Sequence, residues 1–563
     1  MPPLSLRSLI PRRALHSTPN APVQITTLPN NLRVATESTP GHFSSVGLYV
    51  DAGSRYENPS TSGVSHFIDR MAFKVKFTFH GAIPLLIKMH QSTSSRSGEE
   101  MATAIHSVGG QIYCSSSRES IMYQSSNFSQ STSTALSLIA DTALNPAFLP
   151  EEVAEQREAA RYEIREITAK PEMILPEILH EVAYGARALG NPLLCPEDRI
   201  DVVDGTLMRK FMGERHRPER MVIAGAGMQH EQLVEWADKY FSHLKSSVPV
   251  PIPESLHTRQ PLSRSMAQNI PSHVLPPSSS PSIYKALSRA ASSYLYSPTL
   301  DTLAPTSPPT SPSCYVGGHR FLHQPASEFN HLYLAFEGVG IHDDDIYTLA
   351  TMQILLGGGG SFSAGMSSHS WLCRLSHIFV LGGPGKGMYS RLYTHILNHH
   401  PQIDHCASFH HIYTDSSLFG LFASFLPASP TKNTPTHYYG STPSQILPHL
   451  AHQLSLLLYQ DVPHVELNRA KNQLKSSLMM ALESKVVEVE DLGRQILVRD
   501  RKVPVTEMCD RIDEVTAPDL RRVAMRVFGS GANGLNGKAT IVTMGSEDIG
   551  EWKSTLRKYG VGE

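Results

Sequence analysis

At 563 residues the chain is long enough for two or more domains. A net charge of -2, from 49 Lys and Arg against 51 Asp and Glu, excludes nucleic acid or an acidic substrate as a bulk electrostatic partner. Hydrophobic content is 40%, ordinary for a globular protein, and the longest apolar patches, such as Ile83–Ile87 and Ile378–Leu381, are far too short to span a bilayer.

Residues 1–36 contain no acid; the first is Glu37. Arg7, Arg12 and Arg13 alternate with Leu4, Leu6, Leu9, Ile10 and Leu15 among serines, the composition of a mitochondrial transit peptide. We expect it to occupy residues 1–20, with cleavage shortly after Arg12-Arg13. Val23–Leu28 and Pro29–Thr36 predict two short strands around a turn, and Ser44–Ser54 a buried strand ending in a glycine turn. Ser62 is the expected N-cap of a helix from Gly63, whose core face is Val64, Phe67, Ile68 and Met71. His66, Asp69 and Arg70 fall at i, i+3 and i+4 on another face. A helix over Glu99–Ser107, strands over Gln111–Ser115 and Ile121–Gln124, and helices over Thr132–Leu144 and Glu151–Thr168 follow. The first domain is expected to run from 21 to 245.

The next stretch is rich in proline and serine, including Pro276-Pro277-Ser278-Ser279-Ser280-Pro281 and Thr306–Pro312. Such a composition cannot bury enough apolar surface to offset its chain entropy, so 246–325 is expected to be a disordered linker. The pattern then restarts over 326–563. A strand over Asn330–Gly340 enters a turn. Helices follow over Asp343–Leu356, Leu447–Leu458 (Pro448 in its first turn) and Val465–Glu490, and a strand over Ala539–Gly545 closes the chain. Strand, glycine turn, helix, then strands and paired helices occur in both halves. The fold class is α+β: two similar, duplicated domains, each an antiparallel-rich sheet flanked by helices, joined by the linker. The six cysteines, Cys114, Cys195, Cys314, Cys373, Cys406 and Cys509, form no Cys-x-x-Cys pair, which argues against a zinc ribbon or disulfide framework and suits a reducing compartment.

The chemistry concentrates in His66-Phe67-Ile68-Asp69-Arg70. A His-x-x-Glu-His helix puts two histidines on one face to hold zinc, with the glutamate working on the bound water. Here the base position is Asp69, one methylene short, and the second ligand position is Arg70. A guanidinium stays protonated and has no lone pair to donate. The glycine-rich segment Gly357-Gly358-Gly359-Gly360-Ser361-Phe362-Ser363-Ala364-Gly365, resumed at Gly382-Gly383-Pro384-Gly385-Lys386-Gly387, predicts a mobile loop or a close approach by another backbone. It is not a phosphate-binding loop, because Gly387 follows Lys386 where Ser or Thr is required. Asp343–Asp345 and the set Glu483, Glu488, Glu490 and Asp491 are candidate acids for a basic ligand.

Three blocks, Gly53–Lys74, the glycine segment and Asn472–Leu497, resemble the mitochondrial processing peptidase alpha subunits. These are non-catalytic members of the pitrilysin-type metallopeptidases and are similar to the core proteins of respiratory complex III. The resemblance covers nearly all of the chain outside the linker, and the glycine block is its most specific part. It implies a heterodimer in the mitochondrial matrix with a catalytic beta subunit that holds the zinc, no metal or cofactor on this chain, and endoproteolytic removal of presequences from imported precursors. It makes Gly357, Gly358, Gly359, Gly360, Ser361, Phe362, Gly383, Gly385, Lys386 and Gly387 the substrate-binding candidates. His66, Asp69, Arg70 and Glu163 would form a degenerate metal site, with Glu166 as the alternative to Glu163. The alternative implied role is that of a structural core subunit of respiratory complex III.

Two apolar stretches of equal length interrupt these blocks: Val75–Gln91, between Lys74 and Ser92, and Met366–Gly382, inside the glycine segment. Their borders can encode GT and AG, so we read both as translated introns; genuine insertions are the alternative. A transcript carrying both would end the intron reading.

Overall fold

The computed structural model describes residues 23–38, 41–73, 78–80, 83–85, 91–247, 312–357, 389–428, 440–529, 535 and 537–562. The expected transit peptide, most of the expected linker, Gly358–Gly387 and most of Val75–Gln91 lie outside them.

In the first half β1 (Val23–Thr27), β2 (Arg33–Glu37) and β3 (Phe43–Val50) lead to α1 (Val64–Met71). A short hairpin, β4 (Thr78–His80) and β5 (Ile83–Leu85), precedes α2 (Gly98–Val108), β6 (Gln111–Ser116) and β7 (Ile121–Phe128). Then come α3 (Thr132–Leu144), α4 (Pro150–Thr168), α5 (Pro171–Tyr184), α6 (Gly205–Arg215), β8 (Met221–Ala226) and α7 (His230–Phe241). The second half holds β9 (Gly318–His323), β10 (Asn330–Gly338), α8 (Ile346–Leu356), β11 (Ile403–Ile412) and β12 (Ser417–Phe425). It ends with α9 (Pro443–Tyr459), α10 (His464–Leu482), α11 (Lys485–Arg499), α12 (Val505–Glu514), α13 (Ala517–Phe528), β13 (Ala539–Gly545) and α14 (Trp552–Lys558).

The duplication is explicit in the sheets. The first runs β1-β2-β8-β3-β7-β6, the second β9-β13-β10-β12-β11. In each, one parallel pair (β2 with β8, β9 with β13) sits beside an otherwise antiparallel set. β9 lies within the stretch expected to be linker. It is ordered because Thr540–Gly545 pairs with it residue by residue.

Both faces of the central strands of each sheet are buried, and by different partners. Val46, Leu48 and Val50 of β3 face the helices of their own half, including Phe67 of α1 and Leu136 of α3. Tyr49, with Ala35, Met122, Val222 and Ala224, packs instead on Val489, Leu492 and Ile496 of α11, from the other half. The exchange is mutual: Leu175, Leu179, Ala183 and Tyr184 of α5 pack on Tyr333, Ala335, Leu418, Val542 and Met544 of the second sheet.

Three sequence expectations are corrected. Val465–Glu490 is not one helix but two, broken at Glu483 and Ser484, and the break lets α11 cross to the first sheet. Pro448 lies inside α9, not in its first turn, because Pro443 and a capping box between Thr442 and Gln445 start the helix earlier. Ser62 is not the N-cap of α1; that position is Gly63, with φ of 87°.

Candidate functional site

α1 begins where a buried carboxylate gathers its first donors. Glu57 accepts from the Gly63 amide at 2.8 Å, the Ser65 amide at 2.7 Å and the Ser65 hydroxyl at 2.5 Å. A carboxylate there satisfies otherwise orphaned N–H groups and suits the positive end of the helix. Burial pushes the Glu57 carboxyl up to about 7, against the pull of the Ser65 and Gly63 hydrogen bonds. The loop before α6 closes over this end. The Asn191 side chain donates to the Ser54 and Glu57 carbonyls at 2.8 and 2.9 Å. A Cβ on Gly63 would lie 2.3 Å from Cys195 Sγ, so Gly63 is required by both its dihedral angle and its neighbour.

Val64, Phe67, Ile68 and Met71 face the core as expected. The opposite edge of α1 meets α4. His66 is 4% exposed, and its Nδ1 accepts a hydrogen bond from the Cys195 amide at 3.2 Å. A neutral imidazole that accepts at Nδ1 carries its proton on Nε2, and His66 Nε2 lies 3.5 Å from Glu163 Oε2. The Arg70 guanidinium contacts that same carboxylate oxygen. Arg70 is desolvated, which pushes its proton affinity down, while Asp69 opposes the shift. The structure therefore brings His66, Arg70 and Glu163 together beside Asp69. Glu166 is exposed and pairs with Lys170 at 4.0 Å.

This donor set does not fit a catalytic zinc. Three protein ligands plus water are the usual requirement. Arg70 offers none, His66 presents a protonated Nε2, and Glu163 is engaged by the guanidinium. A zinc-ligating histidine normally donates from its second ring nitrogen, whereas His66 accepts there. Among the described residues no group of three or more His, Cys, Asp or Glu side chains is arranged to hold a metal ion.

A cavity of about 400 Å³ opens between the end of α4, α5 and the 186–197 loop. Ile164, Ile178 and Leu194 line it with Glu181 and Glu197. The candidate acids elsewhere are mostly committed. Asp343 and Asp345 are held by Arg526 and Arg522 at 2.7 Å each. Glu488, Glu490 and Asp491 are buried and paired with Lys485, Arg494 and Lys502. Only Asp344 and Glu483 of these two clusters are exposed. Of the candidate glycines, only Gly357 is described: it ends α8, its amide donating to the Gln353 carbonyl at 3.0 Å.

Glu57 was not singled out from the sequence, since nothing in its spacing from α1 marks a cap; a lone acid ahead of Gly63 was the only signal.

The insulinase (peptidase family M16) model matches residues 33–81 and 85–197, and the peptidase M16 inactive domain matches 204–474. The chain belongs to the M16 peptidase family. It is 42% identical to the mitochondrial-processing peptidase subunit alpha of Neurospora crassa, over 95% of this chain and 88% of that protein. It is 34% identical to the probable alpha subunit of Schizosaccharomyces pombe, over 95% and 88%, and 31% identical to the human alpha subunit, over 93% and 82%. A protease from Helicobacter pylori shares the fold, with a TM-score of 0.66 at 16% identity, over 93% of this chain and all of that one.

Proposed function

We propose that the chain is the non-catalytic, substrate-recognising subunit of a mitochondrial processing peptidase. In the matrix it pairs with a catalytic beta subunit that carries the zinc, and it helps present the presequences of imported precursors for endoproteolytic removal. The observation that carries this reading is the contact of the Arg70 guanidinium with Glu163, which supports a fixed cation in place of a metal. The alpha-subunit relatives support the division of labour. The cavity between α4, α5 and the 186–197 loop suits such a substrate, because an apolar floor with the exposed Glu197 at its edge is complementary to segments that mix apolar and basic residues, Glu181 being already paired with Arg320 at 2.6 Å. Gly357–Phe362 with Gly383, Gly385, Lys386 and Gly387 remains the proposed segment that engages the extended precursor, and residues 1–20 the proposed transit peptide.

A processing assay on a presequence-bearing precursor tests this, with the chain alone and then with its beta subunit. Cleavage is expected only with both present, and the chain alone should contain no stoichiometric zinc by metal analysis. Solo cleavage together with one tightly held zinc per chain would refute the proposal.

A further inference from the structure

We infer that the two halves of this chain are mutual binding partners that hold each other without needing the covalent link between them. Each sheet has one face closed by its own helices and the other by a helix from the opposite half. On the first sheet Tyr49, Val222, Ala224 and Ala226 are 0% exposed beneath Val489, Leu492 and Ile496. On the second, Ala335, Leu418 and Val542 are 0% exposed beneath Leu175 and Leu179. Each exchanged helix is the second arm of a helical hairpin whose first arm stays home. Residues 169–170 join α4 to α5, and residues 483–484 join α10 to α11. Such short connections leave neither helix free to swing back over its own sheet. The halves therefore interlock, and parting them would expose two apolar sheet faces at once.

Polar contacts fix the register of this clasp. Arg55 spans to Asp415 with two hydrogen bonds, at 2.8 and 2.5 Å, and both Glu119 carboxylate oxygens accept from the Thr414 amide at 3.1 Å. The Gln124 side chain donates to the Val486 carbonyl at 2.6 Å, and Arg33 to the Ile496 carbonyl at 3.0 Å. The Tyr413 hydroxyl meets His180 Nε2 at 2.7 Å, while His180 Nδ1 donates to the Pro176 carbonyl at 2.6 Å. The backbone also comes close at Gly493, where a Cβ would sit 2.2 Å from the Tyr49 ring. An interface with the character of a divided core behaves as an obligate one. A flexible tether raises local concentration at most to about the millimolar range, and less as it lengthens, which such an interface does not need.

The test uses the full chain with a site-specific protease sequence inserted between Ser279 and Ser280. The folded protein is cut to completion, confirmed on a denaturing gel, and passed over a size-exclusion column at micromolar and nanomolar concentrations. Both fragments are expected to co-elute where the uncut chain elutes, with an unchanged circular dichroism spectrum. Separation or precipitation of the fragments after cutting would overturn the inference. Gly493→Leu should make the cut halves separate while the uncut chain remains one species. If that variant does not fold, Arg55→Ala replaces it, and its cut halves should dissociate at about tenfold higher concentration, the equivalent of about 1.4 kcal/mol. Co-elution with undiminished affinity in whichever variant folds would show that the clasp is not what holds the halves, and would equally overturn the inference.

Discussion

The two halves share a strand order, yet their equivalent helix pairs are built from different material. In the second half α8 is buried along its whole length and meets α10 through residues of one apolar core, including Leu349, Leu355, Leu467 and Leu474. In the first half α1 meets α4 across His66, Arg70 and Glu163. Replacing a buried ion pair by well-packed apolar groups is often neutral or stabilising, and the second half is a natural example of that solution. Stability therefore does not dictate the polar set at α1. What it supplies is a fixed cation on Glu163, on a helix whose position the fold secures by other means.

That last point gives the largest expected effect. α1 hangs from Gly63, which needs a positive φ and no side chain, whereas α8 starts at Asp345 with an ordinary φ of -75°. Gly63→Ala combines a left-handed penalty with overpacking against Cys195 and should cost about 3–5 kcal/mol in chemical denaturation. A cost below about 1 kcal/mol would mean that the start of α1 is as tolerant as that of α8, and the contrast would fail.

Arg70 sharpens the comparison further. Arg70→Ala leaves Glu163 beside His66 with no fixed cation. Breaking a fully buried pair costs about 3–5 kcal/mol, and because Glu163 is 34% exposed, screening reduces this to about 2 kcal/mol. Arg70→His puts a second imidazole beside Glu163, but His66 keeps its proton on Nε2 while the Cys195 amide donates to Nδ1, so the variant should retain well under one zinc per chain through dialysis. Wild type should retain none, and Asp69, one methylene short, should leave the variant a poor peptidase. Zinc binding by wild type would remove the distinction between a fixed cation and a metal.

Much of this site was legible in the sequence because helical spacing is local. The positions of His66, Asp69 and Arg70 alone place them on one edge of α1, whereas Glu163, with Glu166 as its alternative, comes only from the family resemblance. Glu166, three residues further along α4, is exposed and pairs with Lys170 instead. The exchange between halves was not legible. Gln124 and Val486 are 362 positions apart, and no local pattern says on which sheet α11 lands. Strands buried on both faces also lack the alternation that reveals a sheet's sidedness, which is why Val222–Ala226 passed unremarked. The break at Glu483 and Ser484 has neither glycine nor proline to announce it.

Both halves also bury a neutral histidine, so acid should loosen them together if they are interlocked. Burial pushes His216 of the first half down to about 4. Burial, helped by His411, pushes His410 of the second half down to about 3. A free imidazole titrates near 6.5, so below that pH the unfolded chain binds more protons than the folded one. Stability is complete above about 6.5 and falls as the pH drops toward 4, by about 2 kcal/mol per histidine at pH 5. The transition should stay single when followed by probes placed in each half. Two separate acid transitions would mean that the halves do not unfold as one unit.

The smallest effect is expected where the halves meet at the surface. Asp500 ends α11 in the left-handed region, at φ of 60°, and pairs with Arg33 of the first half at 2.5 Å, but its side chain is 64% exposed. Asp500→Gly removes an exposed ion pair worth about 0–1 kcal/mol. It also relieves a left-handed residue at a helix C-terminus, where glycine is preferred, by about 1 kcal/mol. The two terms nearly cancel, so the melting temperature should move by no more than about 2 °C, since in a chain of this size 1 kcal/mol corresponds to a few degrees or less. Arg33 keeps its second hold on the other half, through the Ile496 carbonyl, and that bond lies on the buried side of the clasp. A large loss in Asp500→Gly would place the energy of the contact at its rim instead of in the apolar faces beneath α11, and would reverse the order of effects from which the interlocked arrangement is argued.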